Sequence, residues 1–314
     1  MKAKYDIRST KIIFSMQKYD PRNQAIQVYI GGKLYPRNEA KVSVFDSLVQ
    51  GGDGVWEGIR VYDGRIFALD AHLNRLIGSA KSMAFTNVPS KEQIKEAIFM
   101  TLQANGMRTD THIRLTLSRG EKITSGMDPR LNKSGSTLIV LAEWKPPIYE
   151  GQAHRLVTAN IRRNSPLCLD SKIHHNNLIN NILAKIEANF AGVDAAVMLD
   201  VYGYVSETNA TNMFLVKQNT IHTPHADSCL PGITRGLVIR TARANGVQVI
   251  ERNISITEFY NADQVFTTGT MGELTPVVEI DGRKIENLNQ TDVFERLSQW
   301  FRKRTQQEGE PLPF

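Results

Sequence analysis

The sequence predicts an α+β protein of two domains, built of mixed sheets with peripheral helices. Three observations carry that expectation. Apolar stripes with helical spacing stand between runs that alternate as strands, a period of about 3.6 against 2. Two-residue turn signals recur between such runs, at Gly31-Gly32, Asp63-Gly64 and Asp281-Gly282. Pro146-Pro147, with Tyr149-Glu150-Gly151-Gln152, breaks regular structure as an interdomain linker does. The chain therefore divides into a small α+β domain at 1–145, a linker at 146–152 and a larger domain at 153–314. Its 314 residues suffice for two domains of ordinary size.

In chain order, residues 26–30 alternate as a strand that turns back at Gly31-Gly32, and 42–44 read as another. Gly51-Gly52-Asp53-Gly54 is a flexible loop before a strand at 55–62, with 65–68 pairing back across Asp63-Gly64. Asp70 is placed to cap a helix to about Phe85, with Leu73, Leu76, Ile77 and Ala80 on one face. Ser90 and Gln93 form a capping-box signature for a second helix, which Gly106 ends. Strands follow at 111–117 and 136–144. Beyond the linker, strands are expected near 155–161, 195–200, 203–206, 212–217, 220–223, 247–252 and 263–268. Helices fall between them, and a last one near 291–306 turns Val293, Leu297, Trp300 and Phe301 inward. From Asn177 onward, Leu178, Ile179, Ile182, Leu183, Ile186 and Phe190 mark a helix whose stripe should face a core.

Composition narrows the function. Charged residues at 22% and apolar ones at 41% are those of a soluble globular protein. The net charge of +6 is spread out, with no basic run dense enough for a nucleic-acid arm. No apolar run is long enough to span a membrane, and the N-terminus lacks a signal-peptide core. Cys168 and Cys229 show no motif spacing, which suits reduced thiols and a cytoplasmic protein. His174 and His175 are adjacent, so regular backbone aims them apart, which argues against a shared metal.

The chemistry gathers around Lys172, just before the helix and outside its stripe. Alone, it would read as a surface lysine. Glu207 follows in a turn-rich segment, Pro231-Gly232-Ile233-Thr234 opens a helix, and Thr267-Thr268-Gly269-Thr270 closes a strand. Pyridoxal phosphate chemistry asks for such a set. A lysine amine forms the Schiff base. A carboxylate keeps the pyridine nitrogen protonated. Amides at a helix N-terminus hold the phosphate.

The text at 55–67 (VWEGIRVYDGRIF), 72–76 (HLNRL), around Lys172, and at 200–216, 230–235 and 267–277 resembles class IV aminotransferases. These are the fold type IV pyridoxal phosphate enzymes, and the likeness is greatest to branched-chain amino acid aminotransferases, over about residues 25–290. The resemblance implies a pseudo-barrel second domain and a homodimer, or a higher oligomer of dimers. It implies ping-pong amine transfer between an amino acid, best L-leucine, L-isoleucine or L-valine, and 2-oxoglutarate. Lys172 is then the catalytic residue. Glu207, Arg75, Ile233, Thr234, Thr270, Ala210 and Asn177 surround the cofactor, and Arg114, Arg60, Trp56, Met271 and Gly272 the substrate. Without the resemblance, Arg75 would read as a solvated helix charge, Ile233 and Thr234 as ordinary capping, and Trp56 as core. Arg114, between apolar neighbours, is costly to bury without a partner.

The chain departs from that pattern at two tyrosines: Asn177 stands five residues after Lys172, and Gly51 stands ahead of the VWEGIR text. The GDGVWE text also resembles D-amino acid aminotransferases, yet residues 118–125 lack their arginine–histidine pair. The alternatives are therefore a D-amino acid or (R)-amine transaminase and a β-elimination like that of aminodeoxychorismate lyase. Against a non-catalytic binding protein stands the Lys172–Glu207 pair.

Overall fold

The computed structural model describes residues 19–146 and 153–314. The first part holds β1 (Gln27–Ile30), β2 (Lys33–Pro36), α1 (Ser47–Gly51), β3 (Gly54–Tyr62), β4 (Arg65–Ile66), α2 (Leu69–Ser82), α3 (Lys91–Ala104), β5 (Thr111–Ser118) and β6 (Thr137–Trp144). The second begins with β7 (His154–Thr158), α4 (Ile179–Ala191), β8 (Ala195–Leu199), β9 (Val205–Thr208), β10 (Asn212–Lys217) and β11 (Thr220–Thr223). It continues with α5 (Ile233–Ala244), β12 (Val249–Glu251), α6 (Ile256–Tyr260), β13 (Gln264–Gly269), β14 (Glu273–Ile280), β15 (Arg283–Lys284), α7 (Val293–Gln307) and β16 (Glu310–Pro311).

Two sheets organise these elements. The first has seven strands in the order β16-β4-β3-β5-β6-β1-β2. At its centre β3 and β5 are antiparallel, with Glu57 opposite Leu115 and Gly58 opposite Arg114. Leu73, Leu76, Ile94, Ile98 and Leu102 of α2 and α3 bury against Val55, Ile59, Ile113 and Leu115, and this apolar burial drives the first core. The second sheet has nine strands, β12-β11-β10-β13-β14-β7-β8-β9 with β15 on β14, and mixes parallel and antiparallel pairs. It curls into a half-barrel, so the predicted fold class is the one found. The Asp63-Gly64 hairpin has both residues at positive φ (41° and 75°), as a two-residue turn of that kind requires. The capping box of Ser90 and Gln93 is also present.

Several expectations are corrected. Residues 42–44 form no strand, and Val44 and Phe45 are exposed. Part of the expected loop at 51–54 is helical, since α1 reaches Gly51 and is capped by left-handed Gly52. Asp70 does not cap α2; Ala68 holds the cap position at φ 52°, and Asp70 lies in the first turn, where its charge suits the helix dipole. The C-terminal β16 pairs with β4, so the chain's end returns to the first sheet instead of staying with the second. Of the expected linker, residues 147–152 lie outside the described residues.

The largest correction concerns α4. Its stripe does not face a core: Ile179, Ile182, Leu183, Ile186 and Phe190 are exposed, Phe190 at 86%. The sheet instead receives Ala184 and Ala188, which pack on Ala196 and Met198. Small side chains allow the close approach of helix to sheet. Spacing reveals a stripe, not the surface that covers it.

Candidate active site

A cavity opens between the two sheets, with halves of about 290 and 240 Å³. Trp56, His174, Glu207, Ala210 and Leu230 line both halves, which makes it one space.

One end has the makings of an anion cradle. Gly232 caps α5 with no side-chain bond, and Gly232, Ile233 and Thr234 line the cavity there. The first amides of a 12-residue helix, unclaimed by a cap, favour a negative group. A Cβ at Gly232 would stand 2.1 Å from Asn212 Oδ1, so a larger residue would have to displace the Asn212 side chain, which bonds Glu207 and the Leu230 carbonyl. Thr268, Gly269 and Thr270 form the opposite wall, and the buried Thr268 hydroxyl has no partner among the described residues. Behind the wall, Arg60 is 2% exposed beside Thr234 and Thr270, with Nε and Nη1 unpartnered. A buried cation there adds to the attraction for an anion.

In the middle stands Glu207, buried on β9. Arg163 Nε donates to its Oε1 at 2.7 Å, Asn212 Nδ2 to its Oε2 at 3.3 Å, and the Leu230 amide to Oε1 at 3.4 Å. Burial pushes the Glu207 carboxyl up, against the pull of the Arg163 guanidinium. Such a carboxyl suits a ring nitrogen that shares a proton with it.

On the β3 side, joined to the cradle's loop through Arg75, Glu57 is a fully buried hub. Arg75 Nε and Nη2 donate to its two oxygens at 2.7 Å each, His72 Nδ1 lies 2.7 Å from Oε2, and His174 Nδ1 lies 3.2 Å from Oε1. Burial would raise the Glu57 carboxyl, but Arg75 and the two imidazoles outweigh it and hold it well below the usual carboxylate range. The His174 ring lies 4.1 Å from that of Trp56, and the Arg114 guanidinium sits over Trp56 at 3.4 Å. Burial lowers the Arg114 guanidinium to about 10, and among the described residues no carboxylate forms an ion pair with it. An acid group of a substrate would supply that partner.

Of the residues expected in the site, Glu207, Arg75, Ile233, Thr234, Thr270, Ala210, Arg114, Trp56, Met271 and Gly272 line this cavity. Arg75 is already committed, to Glu57 and to the Pro231 carbonyl at 3.2 Å. Arg60 lies behind the cradle, not in the cavity proper. Two further expected residues also lie outside its lining. Asn177 is exposed, and Leu178 lines the cavity in its stead. Lys172 lines neither half; its side chain is 45% exposed, beside Asp170, and Nζ donates to the Asp227 carbonyl at 3.2 Å.

The cause is a pairing register. The Asn176 amide donates to the Gly54 carbonyl at 2.8 Å and the Trp56 amide to the His174 carbonyl at 2.9 Å, so this segment runs along the start of β3. That register turns His174 inward and leaves Lys172 before the paired stretch. Sequence reasoning missed Glu57, Arg163 and His174. Glu57 is the one acidic residue within a mostly apolar strand that also carries Arg60, and Arg162-Arg163 follows a strand with one side turned in; both were readable signals.

Pyridoxal 5′-phosphate, the cofactor that the resemblance implies, fits this cavity at two of its three requirements, the phosphate and the ring nitrogen. The cradle suits its phosphate and Glu207 its ring nitrogen. No lysine lines the half that holds the cradle. Lys185 lines the other half, with Nζ donating to the Asp194 carbonyl at 2.6 Å.

Comparison with known proteins bears on the same features. The amino-transferase class IV family matches residues 54–280. The chain is 58% identical to branched-chain-amino-acid aminotransferase-like protein 2 of Arabidopsis thaliana over 294 residues, 93% of this chain and 53% of that protein. It is 40% identical to the putative branched-chain-amino-acid aminotransferase of Methanocaldococcus jannaschii over 279 residues, 88% of this chain and 96% of that one. The chain thus spans about half the length of the first of these relatives. The solved branched-chain aminotransferase of the thermophilic archaeon Thermoproteus uzoniensis, with norvaline, matches with a TM-score of 0.83 at 29% identity, over 90% of this chain and 96% of that one. With its two-sheet fold, its helix-capped cradle and a family match across both sheets, this chain belongs to the class IV aminotransferases.

Proposed function

We propose that the cavity binds pyridoxal 5′-phosphate and serves amine exchange between an L-branched-chain amino acid and 2-oxoglutarate. The observation that carries this is the buried Glu207 carboxyl facing the same cavity as the unclaimed amides of α5 and the orphaned Thr268 hydroxyl. Cofactor binding there would supply an electron sink. The chain's own part is to hold the anion at α5, to keep a proton at the ring nitrogen through Glu207, and to seat the substrate at Trp56 and Arg114. Trp56 offers an apolar wall, and Arg114 a cation for the second carboxylate of 2-oxoglutarate. The free thiols Cys168 and Cys229 suit a cytoplasmic setting.

A panel of amino donors, L- and D-forms scored separately with 2-oxoglutarate, tests the reading. Leucine, isoleucine or valine should lead. A lead by D-alanine or an (R)-amine would move the assignment to those classes, and pyruvate release without amine transfer would indicate β-elimination. A second reading is binding of the cofactor without turnover, and the exposed position of Lys172 is what favours it. Bound cofactor with no product from any donor would select it.

We also propose that a second copy of the chain covers α4. Five large apolar side chains are exposed on that helix, too many on one face to be incidental. Ile182→Asp combined with Phe190→Asp should convert a dimer to a monomer in sedimentation velocity. An unchanged sedimentation coefficient rules out this face.

A further inference from the structure

We infer that the cavity holds a phosphopyridoxyl group without a covalent bond to the chain, with the His174 imidazole standing where a lysine amine would have to reach. The inference rests on the cofactor reading above. His174 is held firmly in place. Its carbonyl accepts from the Trp56 amide at 2.9 Å, its amide donates to Ser79 Oγ at 3.1 Å, and its ring packs on Trp56. Glu57 fixes the tautomer. The Glu57 carboxylate, bonded bidentately to Arg75, can only accept, so His174 Nδ1 bears the hydrogen and Nε2 carries the lone pair; this assignment follows from the hydrogen-bond network.

The chemistry of condensation decides what such a ring can do. A primary amine adds to an aldehyde carbon, and both of its hydrogens leave with the aldehyde oxygen as water, giving C=N. A ring nitrogen of a neutral imidazole carries at most one hydrogen and cannot complete that loss. The two lysines nearby are both committed elsewhere. Lys172 Nζ turns out to the Asp227 carbonyl, and Lys185 Nζ turns to the Asp194 carbonyl on the side away from the cradle. What remains for the cofactor is the cradle, Glu207 and the Trp56 wall, and these contacts are the same for its aldehyde and amine forms. The two forms should therefore bind alike, whereas a covalent lysine would favour the aldehyde.

The test incubates the whole chain with pyridoxal 5′-phosphate, reduces with borohydride and maps the peptides by mass spectrometry. No lysine of the unmodified chain should carry an adduct, and the cofactor should leave on desalting. Pyridoxal and pyridoxamine 5′-phosphate should bind within about tenfold of each other, a difference of no more than about 1.4 kcal/mol. His174→Lys should gain an adduct at position 174 and favour the aldehyde form by more than about tenfold. An adduct on Lys172 or Lys185, lost in Lys172→Ala or Lys185→Ala, overturns this inference and leaves the proposed function standing. So does a His174→Lys chain that binds pyridoxamine 5′-phosphate but forms no adduct. Failure of the unmodified chain to bind either form overturns both.

Discussion

The two ends of the cavity have been built to different degrees for the family's chemistry. At the α5 end, Gly232, Thr234, Thr268 and Thr270 leave amides and a hydroxyl unclaimed, as an anion site must. At the β3 end the buried carboxylate is already matched within the chain, since Glu57 takes Arg75, His72 and His174, and Arg114, lying on Trp56, is left without an ion pair among the described residues. The first end offers unclaimed donors to a ligand, and the second is closed on itself apart from Arg114. Binding a cofactor and bonding to it covalently are thus separate properties of one fold, and a chain can keep the first while its residues no longer provide the second.

The largest test of this contrast strikes the closed end. Glu57→Gln leaves the Arg75 guanidinium without its ion pair in a buried setting, so urea unfolding should show a loss of about 3–5 kcal/mol. A loss under about 1 kcal/mol would mean that the hub is not what holds this end together. Next comes the substrate wall. Arg114→Ala should weaken 2-oxoglutarate by about 2 kcal/mol, the size of a hydrogen bond to a charged group, and leucine far less. Equal losses for the two substrates would show that Arg114 only props Trp56. At the open end, Thr268→Val should lower pyridoxamine 5′-phosphate affinity by about 1 kcal/mol in calorimetry, with little effect on folding, because the hydroxyl has no internal partner to lose. Unchanged affinity would place the phosphate elsewhere.

A last effect is a pH dependence. Burial lowers His174 and His154 to about 4 and His112 to about 3, from an ordinary value near 6.5. Between pH 6.5 and about 4 the unfolded chain binds protons that the folded one refuses, so stability falls as pH is lowered through that window. Glu207 works the other way, since its raised carboxyl is protonated first in the folded chain. Melting temperatures at pH 7 and pH 5 should differ in that direction, and a flat profile would show that the imidazoles charge in place.

Much of this was legible before the fold. The cradle could be read from Pro231-Gly232-Ile233-Thr234 and Thr267-Thr268-Gly269-Thr270, because a helix start and a strand end are local events that short segments specify. Glu207 was expected in a turn-rich segment after a strand, and it lies instead on β9 itself, lining the cavity. That Lys172 lies outside the cavity lining was not legible, because its side chain's direction depends on how its segment pairs with β3, more than 100 residues earlier in the chain. The α4 stripe was misread in the same way: Ile182 and Phe190 have helical spacing, but the sheet took Ala184 and Ala188.

What the amino-acid sequence alone determined was the order of elements, the turn at Asp63-Gly64, the capping box at Ser90 and the anion cradle. Each depends on residues within a few positions of one another, where propensity and hydrogen-bond chemistry act directly. The tertiary structure alone decided which group faces the cavity, His174 or Lys172. A shift of two residues along an extended segment changes nothing in its local pattern, and only the bonds of 174–176 to Gly54 and Trp56 set which side chain enters and which meets water.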